Sequence, residues 1–191
     1  MTPIITTFTN RRVNPLDVHW DDINIQDIAH ALACCNRFAG HVKEPISVAQ
    51  HSVYVSRYVE SGARAAGVDE DKVKMLALQG LLHDASEAYL GDVTKWLKSS
   101  PAFHEYCKAE AIVQARIFDK FSVPNVQHPL VTEADEVMVR YEAAQGGLDI
   151  GYGEVTDQQS AVIGTWVFWS WDLSEKMFLR TFDRLYHGVS R

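Results

Sequence analysis

The sequence predicts an all-α protein, one domain of helices packed as a bundle. Three observations predict it. Apolar residues recur at helical spacing along most of the chain, strand-like alternation is scarce, and no repeat or low-complexity linker divides the 191 residues. That length suits a single domain with a substantial core. A composition of 47% hydrophobic and 23% charged residues is ordinary for a globular protein and excludes extended disorder.

The elements follow in order. Residues 1–22, with Pro3 and Pro15 among several turn formers, read as irregular. Ile23 to Cys35 is predicted helical, with Ile25, Ile28, Ala29 and Leu32 at the right spacing. "NRFAGHVKEP" (residues 36–45) reads as a loop. Ser47 and Gln50 then have the spacing of a capping box, which predicts a helix start with His51 in its first turns. After Gly67, Asp69 can cap a helix running through "KVKMLALQGLLHDASEAYL". Gly91 marks a turn, and "VTKWLK" is a short basic-aromatic segment. Ser100-Pro101 supplies a cap and first turn for a helix to about Phe121. "VPNVQHP" is a loop, and Pro129 or Thr132 opens the helix "LVTEADEVMVRYEAA". The Gly-rich residues 145–157 suggest a surface excursion, followed by aromatic "WVFWSWDL" and a helix from Ser174 to about Tyr186.

Composition narrows the function. A formal net charge of -7 argues against a general nucleic-acid binder. It leaves room for small anionic substrates, because a bound metal and a few cations can outweigh a distant negative surface. Cys34, Cys35 and Cys107 make a poor disulfide framework. The N-terminal stretch does not read as a signal peptide. No window approaches the ~20 apolar residues needed to span a bilayer. The expectation is a soluble cytoplasmic protein without membrane association.

The stretch "GLLHDASEAYLGDV" (residues 80–93) carries the chemistry. His83, Asp84, Glu87 and Asp92 fall where an apolar helix should be buried, and such groups are costly to desolvate unless something binds them. His51 precedes them by some thirty residues and Asp135 follows by some fifty, each in another predicted helix. Imidazole and carboxylate ligands from facing helices are how helical bundles hold metal ions. Two His and two Asp suit a divalent ion such as Zn²⁺, Co²⁺, Mn²⁺, Fe²⁺ or Mg²⁺. Glu87 lies four residues after His83 and shares its helix face, a carboxylate beside the ion.

Each residue also has a plainer reading. His51 could be a hydrogen-bonded helix residue, Glu87 a solvated charge, and Asp135 the partner of Thr132 in a capping box. His30 and Cys34, four apart, could bind metal but read better as a buried polar histidine with small neighbours. Arg37 could be a solvated loop cation. Trp166, Trp169 and Trp171 read as core, or as a homo-oligomer interface, rather than as base-stacking groups.

The pattern His…His-Asp…Asp resembles that of the HD-domain metal-dependent phosphohydrolases. "HDASEAYLGDV", "DINIQDIAHAL", "NRFAGH" and "SVAQHSV" are similar to the bacterial 5′-deoxynucleotidases and phage deoxynucleotide phosphohydrolases, over about residues 13–142. The C-terminal segment 157–191 would pack on that part. The resemblance implies that His51, His83, Asp84 and Asp135 are the metal ligands. It implies that Glu87 acts on the attacking water and that Asp92 is a second acidic residue of the pocket. Arg37 and Phe38 match a pair that touches phosphate and sugar, where the ring disfavours a ribose 2′-hydroxyl; some relatives have Trp at the Phe38 position. Lys95 and Lys98 are further phosphate partners. Other branches fit less well: "GYG" at Gly151–Gly153, for example, lacks the proline of the cyclic-di-nucleotide phosphodiesterases.

The implied activity is hydrolysis of a deoxynucleotide in a bacterial or phage-infected cytoplasm, releasing phosphate from 5′-monophosphates. The alternatives are triphosphohydrolysis of a dNTP such as dATP, with release of tripolyphosphate, and a nucleotide-binding regulatory module with a structural metal.

Overall fold

A computed structural model describes residues 3–151 and 153–188; Tyr152 of the Gly-Tyr-Gly stretch lies outside them. The elements are a hairpin of β1 (Ile5–Thr6) and β2 (Arg12–Val13), then α1 (Ile25–Cys34), α2 (Val48–Ala65), α3 (Glu70–Leu82), α4 (Glu87–Leu90), α5 (Lys95–Lys98), α6 (His104–Lys120), α7 (Pro129–Gln145), α8 (Asp157–Ile163) and α9 (Trp171–Tyr186). The architecture is an all-α bundle.

Helix α2 is its axis. Ser47 caps it by accepting from the Gln50 N–H at 3.1 Å, and nearly every residue from Val48 to Val59 is buried. Such a helix must be covered on all sides. Helices α1, α3, α7 and α9 all pack against it. Gly80 brings α3 close to α2, since a Cβ there would meet Val59 Cγ2 at 3.3 Å and the Ser56 Cα at 3.4 Å. One core, including Ile28, Leu32, Val53, Leu81, Ile117 and Phe178, joins α1, α2, α3, α6 and α9. A second, including Val55, Val59, Val131, Val137 and Met138, joins α2, α3 and α7. His51, in the first turn of α2, has no solvent exposure.

Several boundaries differ from the sequence reading. The helix expected to run through Leu90 stops at Leu82, and residues 83–86 form a turn. The Gly80 carbonyl, which a continuing helix would bond to the Asp84 N–H, accepts instead from His83 Nδ1 at 2.8 Å. Tighter bonds follow, from Ala85 N–H to the Leu82 carbonyl and from Glu87 N–H to the Asp84 carbonyl. Helix α7 opens at Pro129, with His128 as its cap. Asp135 is therefore an interior residue of α7 rather than part of a Thr132 capping box. Ser100 makes no side-chain cap, and the chain enters α6 through a 3₁₀ turn at Pro101–Phe103. Helix α8 lies ahead of the aromatic "WVFWSWDL", where no helix was expected; Thr156 and Gln159 form the capping box that starts it. Helix α9 begins at Trp171, three residues before Ser174.

The tryptophans divide. Trp166 and Trp169 pack on the α2–α7 core, each against the Tyr54 ring, whereas Trp171 stays exposed. His30 is only partly buried, bonded to Glu175 at 3.0 Å and stacked on Phe8 rather than set among small neighbours, with Cys34 Sγ 4.0 Å from its Nε2. No described helix is long and apolar enough to cross a membrane.

Candidate metal centre

Three elements bring the predicted ligands together. His51 comes from the first turn of α2, His83 and Asp84 from the turn after α3, and Asp135 from α7. The two imidazoles face each other with Nε2 atoms 3.3 Å apart. Asp84 Oδ2 lies 3.2 Å from His83 Nε2 and 3.7 Å from His51 Nε2. Asp135 Oδ1 lies 3.1 Å from His51 Nε2 and 3.7 Å from His83 Nε2. Ligand atoms of His51, His83 and Asp84 all fall within 4.8 Å of one another, so this group could hold a metal ion.

The outer nitrogens fix what the inner ones can do. His83 Nδ1 faces the Gly80 carbonyl at 2.8 Å, which can only accept, so Nδ1 carries the proton. His51 Nδ1 faces Glu142 Oε1 at 2.9 Å and donates in the same way. In each neutral ring the Nε2 lone pair is then turned to the centre. Two lone pairs and two carboxylates converge with no proton of their own to share. That donor set fits a divalent cation.

Without a cation, the carboxylates draw protons onto the imidazoles. Burial disfavours the charged form of His83, but Asp84 and Asp135 outweigh it and raise its pKa well above 6.5. Burial and Arg37 likewise oppose charge on His51, yet Glu142 and Asp135 hold its pKa up. Burial would raise Asp84, but His83 and His51 bring it down to about 2. An incoming ion must therefore displace protons from the imidazoles. Apparent ion affinity is expected to climb as pH rises from 6 to 8, and binding should release protons. Calorimetric titration in buffers of different ionisation enthalpy measures both; an affinity flat with pH would contradict this competition between ion and protons.

The centre opens into a cavity of about 370 Å³, within reach of Arg37, Phe38, Glu87, Asp92, Lys95 and Lys98. Volumes of this order are usual for small-ligand sites. Arg37 is buried, its Nε 2.8 Å from Glu142 Oε2 and its Nη1 3.6 Å from Asp84 Oδ2. Phe38 and Ala39 follow it with φ of 56° and 49°, a left-handed conformation that costs non-glycine residues about 1–2 kcal/mol each. This strained corner sets the Phe38 ring at the cavity. Gly91 (φ 80°, ψ 156°) occupies a region essentially restricted to glycine, and its turn delivers Asp92 to the cavity wall.

Glu87 is buried. Its Oε1 lies 3.4 Å from Lys98 Nζ, and its Oε2 has no hydrogen-bond partner among the described residues. Burial, then the charges of Asp84 and Asp92, push its pKa well above the ordinary carboxylate range. Burial likewise raises Asp92. The two lysines differ. Lys98 is held by Glu110 at 2.6 Å, whereas Lys95 lines the cavity from an exposed position on α5. Trp96, Glu136 and Arg140 also line the cavity, and Glu142 stands behind it; the sequence reading singled out none of these. Glu142 had one available signal. It lies seven residues after Asp135 on the same predicted helix, two turns along one face.

No family model matches the chain. It is 35% identical over 147 residues to the uncharacterized protein YfdR of Escherichia coli (strain K12), an alignment covering 77% of this chain and 74% of YfdR. It is also 35% identical over 144 residues to the uncharacterized protein RCAP_rcc00048 of Rhodobacter capsulatus, covering 72% of this chain and 69% of that protein. At that identity and coverage, with the centre and its cavity built from the parts of the chain described above, the chain belongs to the family of these two bacterial proteins.

Proposed function

We propose that the protein is a metal-dependent phosphohydrolase of the HD type that releases phosphate from deoxynucleoside 5′-monophosphates. The observation that carries this reading is a single juxtaposition: the His51–His83–Asp84 group opens, through Asp84, on the same cavity as a buried Glu87 and the Arg37–Phe38 corner. Asp135 would complete the ligand set with His51, His83 and Asp84. A divalent ion held there supplies an activated water and neutralises phosphoryl charge.

The chain's own residues do the rest. Arg37 offers a guanidinium fixed by Glu142 to a phosphate entering the cavity, and charge developing there is stabilised without reorganisation. Glu87, when deprotonated, takes the proton of the attacking water, and its raised pKa makes it a stronger base than an ordinary carboxylate. Phe38 packs on the sugar. Lys98 is engaged by Glu110 and Glu87, which leaves fewer free cations for a triphosphate and favours the monophosphate. A site kept only for regulation or structure has no use for a buried acid with an unpaired oxygen. Metal analysis of the purified protein, followed by product chromatography over deoxy and ribo mono- and triphosphates, tests the reading; tripolyphosphate as product would move it to dNTPs.

The sugar provides a sharper measurement. A 2′-hydroxyl against the Phe38 ring would be buried without a partner, a penalty of ~1–3 kcal/mol or about 5- to 150-fold in selectivity. Deoxynucleotides are expected to have the higher kcat/KM, and Phe38→Ala should narrow the gap. Arg37→Ala should weaken both sugars alike, since their phosphate is common. Equal kcat/KM for matched deoxy and ribo substrates in the wild type would refute the sugar pocket while leaving the phosphohydrolase reading intact.

A further inference from the structure

We infer that Glu142 is a positioning residue that sets the metal centre and the phosphate-binding arginine with one carboxylate, an assignment that rests on the metal-dependent reading above. Glu142 lies on α7 and has no solvent exposure. A buried carboxylate is costly unless both oxygens are matched. Here each oxygen has its own donor, Oε1 the His51 Nδ1–H at 2.9 Å and Oε2 the Arg37 Nε–H at 2.8 Å. The first contact keeps the ring proton on the outer nitrogen and leaves the inner one free for an ion. The second points a guanidinium that also lies 3.6 Å from Asp84.

Two donors facing one group require two acceptors. Glutamate provides them; glutamine, with the same shape, provides one acceptor and one N–H₂ donor. Arginine cannot give up its proton, whereas imidazole can change tautomer. In Glu142→Gln the amide oxygen therefore goes to Arg37, and the N–H₂ group meets His51. His51 can then accept at Nδ1 only by moving its proton to Nε2, into the centre, where it blocks the ion. Without Arg37 the conflict disappears, because the amide oxygen is free to serve His51.

The experiment is a double-mutant cycle read by zinc affinity, measured by chelator competition without substrate. Glu142→Gln is expected to weaken zinc about 10- to 100-fold, the usual effect of losing an outer partner of a metal-bound histidine. Made in the Arg37→Ala background, the same substitution should weaken zinc by a factor at least about fivefold smaller. Equal factors in both backgrounds, as a simple loss of negative charge would give, overturn the inference, as does no loss in either. A second measurement needs no variant: in zinc-loaded wild type, ¹⁵N NMR should find an exchange-protected proton on His51 Nδ1, and zinc on Nδ1 instead would overturn it. Wild type that binds zinc but hydrolyses no nucleotide defeats the catalytic reading and leaves Glu142's role standing. Wild type that binds no zinc defeats both.

Discussion

Asp84→Ala and His83→Ala are each expected to remove bound divalent ion and phosphohydrolase activity together. Each deletes a donor atom from a group whose members lie within 4.8 Å of one another, and the outer contacts that remain cannot replace it. The loss of affinity should exceed the ~10–100-fold that follows removal of an outer partner. His83→Ala also leaves the Gly80 carbonyl without the side-chain donor that turns the chain after α3, so the helical signal and melting temperature must be followed alongside. Asp84 is the cleaner site. Its side chain is about a quarter exposed on the cavity side, and truncating it disturbs less packing. Metal analysis after dialysis against a weak chelator decides the matter. Full occupancy in both variants would show that these residues are not ligands, whatever becomes of activity.

Much of this site was legible in the sequence because its elements carry strong local signals. The Ser47 cap, the Asp69 cap and Pro129 at the first turn of α7 place their helices without tertiary help. Those starts put His51 and Asp135 on two separate helices. The break after Leu82 was not legible, because it depends on a side chain capturing a backbone carbonyl one turn back, and apolar periodicity continues across it. At that turn Asp84 Oδ2 comes within 3.2 Å of His83 Nε2. Glu142 was hidden for a different reason. Its role comes from partners 91 and 105 residues away, and its one local signal, the two-turn spacing from Asp135, equally suits a solvated glutamate. The left-handed Phe38-Ala39 corner is also invisible locally, since neither residue favours it.

Glu87→Ala is expected to keep the ion and lose the chemistry, with turnover down about 10²–10⁴-fold. Glu87 lies outside the group of mutually close ligand atoms, so ion affinity should change little. Its Oε2 is buried with no hydrogen-bond partner among the described residues, which leaves an acceptor atom for the attacking water. Glu87→Gln sharpens the test by keeping shape and removing the titrating proton. The sign of the pH effect follows from the raised pKa. As a base, Glu87 works only when deprotonated, so wild-type kcat should rise with pH along a limb displaced above the 4.5 of an ordinary glutamate. The residual activity of Glu87→Gln should lack that limb. Lys98→Met should move it upward, because the ammonium 3.4 Å from Oε1 favours the charged carboxylate. Stopped-flow turnover across pH 5–9 on ion-loaded protein measures all three. A Glu87→Gln enzyme with wild-type kcat and an unchanged limb would make Glu87 a packing residue and assign the proton transfer elsewhere in the cavity, where Asp92 is the other carboxyl whose pKa burial raises.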